Sequence, residues 1–199
     1  ASGAVPAGAS ALVPAVNVGR TGYLEPAFTD YNAESIKYDV SLHFRPNEDD
    51  LEILFNTRGG YGSTIYQGTN RYNIKNFLLQ QHKLEIRNDD FFVRGYMTTE
   101  DAGDSYDMRF TGINMAKFGA EQWFGEYLEG YLGAVLGGAN NEQAHAQARV
   151  FADSNEATTP KPGSDLFNDL FDQITSDGDL STGSKFIDKT LNHSDYNLN

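Results

Sequence analysis

The sequence predicts a mainly β fold, in which antiparallel up-and-down strands form part of a transmembrane β-barrel and a long loop is partly helical. Three observations lead to this fold class. Residues 35–44 alternate between apolar and polar side chains, as a strand with one apolar and one wet face does. The turns after the first and third predicted strands are short and polar, whereas about half of the chain follows the start of the fourth. Beyond residue 98 the alternation gives way to acidic, turn-rich and helix-like sequence.

Composition supports β structure and excludes several classes of protein. Hydrophobic residues are 39% of the chain, below the roughly 45–50% of globular domains, whereas aromatic residues reach 13% and glycines number 20. The net charge of −13 argues against nucleic acid as a partner, because phosphate binding needs clustered Lys and Arg. The absence of cysteine excludes disulfides, thiolate metal sites and cysteine nucleophiles. No apolar run of about 18 residues occurs, so a membrane role would depend on strands.

The first strand follows a loop. Residues 1–34 are rich in small residues and proline, which predicts a loop segment with a short helical turn near residues 9–16. The strand predicted at 35–44 places five apolar side chains on one face: Ile36, Tyr38, Val40, Leu42 and Phe44. The polar run at 45–50 is then a short turn.

Three further strands complete the segment 35–98 that we assign to the barrel. They are expected at 51–67, at 72–87 and from residue 91 onward. Glycines near residues 59–62 interrupt the second strand and allow a bulge or sharp coiling. The turns after the first and third strands are short and polar, and in an up-and-down sheet they lie on the same side. Short turns on one side and long connections on the other are typical of transmembrane barrels.

Residues 99–199 are expected to form a long extracellular loop or cap. Three short helices are predicted within it, at 119–136, 141–154 and 165–175, from apolar residues at helical spacing and from capping residues. The tail from residue 177 is polar and is predicted to be a loop.

Several segments together resemble one family. RTGYLEPAFTDYNAESIKYDVSLHFRP, STIYQGTNRYNIKNFLLQQHKLEI and FFVRGYMTTEDAGDSYDMRF, with the later LSTGSKFIDKTLNHSDYN, resemble TonB-dependent outer-membrane receptors of the Bacteroidetes type. The resemblance implies a plugged barrel of about 22 strands in the outer membrane. Such a receptor imports nutrients with energy passed from the inner membrane. Four strands cannot close a barrel, so the resemblance makes this chain a fragment with an incomplete barrel.

The resemblance also implies function and partners. We expect part of a nutrient receptor or transporter, without catalytic residues, whose residues 99–199 are extracellular and contribute to ligand capture or gating. The expected partners are the rest of the barrel and its plug, the TonB system acting through that plug, and a surface lipoprotein or other outer-membrane complex. The alternative is a secreted soluble β-rich module, either carbohydrate-binding or a hydrolase. A GxSxG elbow and an HxxxH pair, which would favour an enzyme, do not occur in the sequence.

Two groups of side chains are candidate sites. Trp123, Tyr127 and Tyr131 recur every four residues and are a candidate platform for a sugar or peptide ligand, although an aromatic stripe at helical spacing is also typical of packing onto a neighbour. Asp101, Asp104 and Asp107 lie in an acidic run. Their carboxylates are candidate ligands for Ca²⁺, which takes oxygen donors, and the alternative is a solvated loop.

Overall fold

The computed structural model describes residues 15–46 and 50–198. Most of the helical turn expected at 9–16, and part of the turn expected at 45–50, therefore lie outside the described residues. The chain divides into two compact units. The helical unit comprises Ala1–Phe28 and Phe110–Ile174, and the sheet unit comprises Thr29–Arg109 and Thr175–Asn199. The protein is mainly antiparallel β sheet with four helices, and the sheet is open.

The sheet unit contains six strands. They are β1 (Glu34–Phe44), β2 (Glu52–Gln67), β3 (Arg71–Arg87), β4 (Phe91–Asp101), β5 (Tyr106–Asp107) and β6 (Lys189–Leu198). Their order is β1-β2-β3-β4-β6, all neighbours pair antiparallel, and the short β5 pairs with β3. Among the described residues, β1 and β6 each have one neighbour and form the two edges.

The first four predicted strands agree with the structure to within one residue at each boundary that the sequence defined. The loop expected from residue 177 onward is wrong at its end, because residues 189–198 form β6 and pair with β4 along their whole length. Both faces of β6 carry mostly polar side chains, so the alternation that marks a strand is hidden. The strand forms because β4 offers a free edge to pair with.

An irregularity occurs beside the glycines of β2, where the register of β2 with β3 shifts between Gly62 and Thr64. The extra residue is on β3 rather than on β2, because Lys75 and Asn76 lie opposite Ser63. Opposite this shift, Asn76 has a φ of 56°, a left-handed conformation that asparagine tolerates better than most residues. The backbone amide of Asn76 donates to the Ser63 hydroxyl at 3.1 Å. The amide that the bulge removes from the strand ladder therefore keeps a hydrogen-bond partner.

The helical unit is built from most of α1 and α4 and from all of α2 and α3. The bounds are α1 (Met108–Lys117), α2 (Ala120–Leu136), α3 (Asn141–Asp153) and α4 (Asp165–Ser176), preceded by a 3₁₀ turn at Glu25–Ala27. The three predicted helices are confirmed, and α1 was not predicted. Its sequence contains Gly112 and Thr111, both weak helix formers, and it has no regular apolar stripe.

Capping residues define the connection between α2 and α3. Helix α2 ends at Leu136, Gly137 is its C-cap, and Gly138 then adopts a φ of 89°, as glycines that follow a helix do. Helix α3 begins with a capping box, in which Asn140 accepts from the Gln143 amide and the Gln143 side chain accepts from the Asn140 amide. These local signals explain why the two helices were predictable.

An aromatic column packs between α2 and α3. The buried residues of this cluster are Trp123, Tyr127, Tyr131, Ala134, Ala144, Ala148 and Ala152. The alanines of α3 leave room for the rings of α2. A side chain at Gly130 would come within 3.1 Å of the Cα of Ala148, so glycine permits the close approach of the two helices.

Arg20 holds the segment before β1 to the helical unit. Its guanidinium donates to the carbonyls of Ala116, Phe118 and Thr158, and to the hydroxyl of Thr159. Burial lowers the pKa of Arg20 from its usual value, but three carbonyl partners compensate the charge. One side chain therefore satisfies backbone groups from two separate loops.

Candidate functional site

The sheet has two faces of opposite character. Direct antiparallel partners point to the same side of a sheet, so the register defines cross-strand rows on each face. The first row of one face, next to the short turns, is Phe44–Ile53–Ile86–Val93–Tyr196. The second is Leu42–Phe55–Leu84–Gly95–Ser194, and the third is Val40–Thr57–His82–Met97–Asn192. We call the side that carries these rows the apolar face.

The apolar face is exposed. Every residue of β1 is exposed, and the exposed fraction is 63% for Leu42, 50% for Val93 and 77% for Tyr196. In a water-soluble sheet with one covered face, side chains of this kind form the core. Here the described residues leave them uncovered.

Polar groups within the apolar face are paired with each other. The Thr57 hydroxyl lies 3.0 Å from Nδ1 of His82. Tyr38 extends across Gly59, where any side chain would meet its ring at 2.8 Å, and its hydroxyl accepts a hydrogen bond from Gln80 at 3.0 Å. The polar side chains at these positions of the apolar face therefore have hydrogen-bond partners on the same face.

The opposite side, which we call the charged face, carries a network of ion pairs. At its centre Glu52 is nearly buried and accepts two hydrogen bonds from the Arg87 guanidinium, at 2.8 and 2.6 Å. Nδ1 of His43 lies 2.8 Å from the same carboxylate. The hydrogen bonds from His43 and Arg87 lower the pKa of Glu52 to about 2. Glu52 is thus a stable anion at neutral pH.

A second carboxylate extends the network. Glu85 is 3% exposed and lies 3.2 Å from the Lys83 ammonium, and 3.5 Å from each of the guanidinium groups of Arg87 and Arg94. The guanidinium of Arg94 also stacks over the Phe92 ring at 4.1 Å. The charges of this face compensate each other along the strands, which suits a hydrated surface.

The sequence pattern predicts a polar face along β3 but does not predict this network. The available signal was the in-phase alternation of Lys83, Glu85 and Arg87. Which acid meets which base depends on the register, because Glu52 and Arg87 are direct partners across β2 and β3. Periodicity along one strand does not contain that information.

The candidate aromatic platform is inside the helical unit. Trp123, Tyr127 and Tyr131 are at most 6% exposed. The polar atom of each ring has a partner on or next to α3: Trp123 donates to Asp153 at 2.9 Å, Tyr131 donates to Asn141 at 2.8 Å, and the Tyr127 hydroxyl lies 2.7 Å from His145. The structure places the stripe as packing between helices, which was the alternative interpretation.

The candidate calcium ligands are engaged separately. Asp101 accepts from the Gly103 amide at 2.9 Å, and Asp104 accepts from the Asn76 side chain at 2.8 Å. Asp107 accepts from the Asn70 side chain and the Arg109 amide. Across the part of the chain that the structure describes, no three acidic or histidine side chains are grouped so as to hold a metal ion. The structure does not bring this set together.

The helical unit also contains an open pocket of about 480 Å³. Its walls include Tyr23, Leu24, Pro160 and Lys161. The hydroxyl of Tyr23 is buried and has no hydrogen-bond partner among the described residues, and burial raises the pKa of this phenol. The pocket is mainly apolar.

Comparison of the chain with family models, with curated proteins and with solved structures found no match. Within residues 15–46 and 50–198, none of the helices combines the length and the apolar character that crossing a bilayer requires. The sheet is the part of the molecule in which an apolar face is exposed and a charged face carries buried carboxylates.

Proposed function

We propose that the sheet unit is a segment of an outer-membrane β-barrel that belongs to a TonB-dependent nutrient receptor. The observation that carries this proposal is the inverted polarity of the sheet, in which the apolar face is exposed and the charged face contains an ion-pair network around two buried carboxylates. Strands of transmembrane barrels alternate in this manner, with apolar side chains toward lipid and polar side chains toward the lumen.

Energetics favour a lipid environment for the apolar face. Full burial of a Val, Leu, Ile, Phe or Met side chain is worth about 1.5–3 kcal/mol. The exposed members of the face include Val40, Leu42, Phe55, Leu84 and Val93, so leaving this face in water would forgo a large stabilisation. Lipid tails remove this area from water without requiring a complementary protein surface.

Strand length and strand edges support the same proposal. The apolar positions of β1 run from Ile36 to Phe44, close to the roughly 9–11 residues that a tilted strand needs to cross a bilayer. The sheet is open, and lipid does not tolerate unpaired edges. Further strands beyond β1 and β6 are therefore part of the proposal, together with the plug through which the TonB system would act.

Residues 102–188 connect β4 to β6 at the end of the sheet opposite the short turns. Because long connections of outer-membrane barrels are extracellular, we assign this connection to the cell exterior. We assign it a role in ligand capture or gating, without a catalytic residue, and a surface lipoprotein is a candidate partner. The helical unit within this connection buries a cluster of aromatic and alanine side chains. Burial of this kind supports a position in water, which an extracellular location supplies.

Single cysteines offer a direct test, because the chain contains none. Leu42→Cys places a label on the apolar face of β1, and Ser41→Cys places a label on the charged face at the adjacent position. Because the proposal requires further strands to close the barrel, each cysteine is placed in that closed barrel, which is reconstituted in phosphatidylethanolamine–phosphatidylglycerol vesicles and carries an environment-sensitive fluorophore at the cysteine. We expect brominated lipids to quench the label at residue 42 strongly and the label at residue 41 weakly.

Equal quenching at residues 41 and 42 would overturn the barrel proposal. So would a folded, monomeric chain in buffer without detergent, which is the behaviour expected of a secreted soluble module. Sedimentation of the unlabelled chain in that buffer, together with its circular dichroism, measures this second outcome.

A further inference from the structure

The pocket of about 480 Å³ in the helical unit is not used by the barrel proposal. Two separate segments form its walls, one within residues 22–27 and the other at residues 159–162, and Asp153 completes the lining. Small-molecule sites in proteins have volumes of about 300–1,000 Å³. The pocket is therefore large enough to hold a ligand.

Hydrogen bonds tie the two walls together. Arg20, which lies just before the first wall, donates to the Thr158 carbonyl and to the Thr159 hydroxyl at the second wall. The Thr21 hydroxyl donates to the Asp153 carboxylate at 2.8 Å. A site that is already formed in the absence of a ligand loses little conformational freedom on binding. The pocket is preorganised in this sense.

The walls themselves are stiff. Pro26 lies in the first wall, and Pro160 and Pro162 lie in the second, so the backbone φ angle is fixed at three positions of the lining. Behind the first wall, the ring of Tyr23 packs edge to face against the buried ring of Phe167, with 5.3 Å between the centroids. The lining is thus anchored in the core of the unit.

The charged groups of the lining favour a neutral ligand. Asp153 and Lys161 are the two charged residues that line the pocket. Both oxygens of Asp153 accept hydrogen bonds, from Trp123 and from Thr21, and the Lys161 ammonium pairs with Glu156. A charged ligand would lose its hydration here without gaining an unpaired opposite charge. The recognition of charge is therefore not what this lining provides.

The remaining lining offers apolar surface to an occupant. Leu24 is 81% exposed, and Pro26 and Pro162 are exposed beside it. Removing such surface from water favours association. An aliphatic molecule in the pocket would cover the Leu24 side chain and the proline rings.

We propose that this pocket binds a small, neutral and mainly aliphatic molecule. As a part of nutrient capture, the inference rests on the proposed receptor function and names the chemical class of the ligand. The binding step itself involves only residues of the helical unit, so it can be tested separately from the position of the sheet in lipid.

Photolabelling locates the site. The closed barrel in phosphatidylethanolamine–phosphatidylglycerol vesicles is irradiated with a photoreactive diazirine derivative of octanol, and the labelled peptides are mapped by mass spectrometry. We expect labelling of the segments 22–27 and 159–162. Unlabelled octanol at about ten times its Kd should reduce that labelling about tenfold by mass action. Octanoate and octylamine should compete about tenfold less well, because each carries a charge.

A variant of the wall measures the apolar contact. Leu24→Ala should weaken the competition by octanol about three- to tenfold, because part of the apolar contact is lost. Its exposure of 81% means that the fold does not depend on it. Val150→Ala is the matched control, since Val150 is 72% exposed in the same unit and does not line the pocket. Competition by octanol should be unchanged in this control.

The possible results separate the two proposals. If the two wall segments are not labelled, or their labelling is not reduced by octanol, the pocket proposal is wrong. If, in that case, brominated lipids still quench the label at residue 42 selectively, the barrel proposal stands. Competition by octanoate or octylamine as strong as that by octanol would overturn the neutral class of ligand. An equal loss of competition in Leu24→Ala and Val150→Ala would overturn the location of the site.

Discussion

The helical unit and the sheet unit distribute polar and apolar groups in opposite ways. In the helical unit the rings of Trp123 and Tyr127 are buried and their polar atoms have partners. In the sheet unit the nearly buried side chains include the carboxylates of Glu52 and Glu85, while Leu42 is 63% exposed. One polypeptide thus contains a region suited to water on its outside and a region whose apolar side is turned outward. The proposed lipid environment of the sheet unit rests on this difference.

The largest effect is expected from removing the centre of the helical core. Trp123→Ala should destabilise the helical unit by about 3–5 kcal/mol, because loss of a fully buried ring leaves a cavity and removes the indole donor to one oxygen of Asp153. Chemical denaturation followed by the helical circular dichroism signal measures this loss. Leu136→Ala is the control, since Leu136 is 77% exposed on the same helix. Similar losses of unfolding free energy for both variants would contradict the assignment of Trp123 to the buried core and of Leu136 to the exposed surface of this unit.

A charge on the apolar face should act almost as strongly, but only in lipid. Val40→Arg, at the middle of the apolar run from Ile36 to Phe44, is expected to cost about 2–4 kcal/mol of folding of the closed barrel in vesicles, which is the cost of arginine near the bilayer midplane. Ser41→Arg, on the charged face, should cost much less. The folded fraction in vesicles across a urea series measures both. Equal tolerance of the two arginines would remove the distinction between the faces.

A smaller loss is expected at the clamp that closes the helical unit. Arg20→Ala should cost about 2 kcal/mol, because the carbonyls of Ala116, Phe118 and Thr158 lose a charged donor. The only tryptophan, Trp123, lies in this unit, so its fluorescence reports the unfolding selectively. Lys161→Ala, an exposed cation, is the matched control. An unchanged midpoint for Arg20→Ala would show that the clamp is dispensable.

The smallest effect is a pH dependence confined to the sheet. The pKa of Glu52 is lowered to about 2 from an ordinary value of 4.5, so its stabilisation is present above about pH 4.5 and is lost as the pH falls toward 2. Glu52→Gln should flatten the acid side of the stability profile of the sheet, measured by denaturation of the strand signal in detergent. Glu156→Gln, in the helical unit, should leave that profile unchanged. An acid slope identical in all three proteins would contradict the role of Glu52.

Local sequence signals predicted much of the fold. The period-two pattern of β1 and the capping residues around Asn140 each lie within one element, so they could be recognised without knowing the partners. β6 was missed because its strand conformation depends on the edge of β4 rather than on its own alternation. The ion pair between Glu52 and Arg87 was missed for a related reason, since it depends on the β2–β3 register. The pairing of strands that are distant along the chain cannot be recognised from the pattern of a single sequence.

The pairing of β4 with β6 has a consequence for the order of folding. The ladder from Glu100↔Lys189 to Phe91↔Leu198 joins two strands that residues 102–188 separate along the chain. Closing a flexible loop of that length costs about 4 kcal/mol of chain entropy. Helices form from local contacts and precede such distant pairings. We therefore expect the β4–β6 ladder to form late, after the hairpins of β1 to β4 and the helices are in place, so that pulse-labelling hydrogen exchange should protect the amides of β6 last.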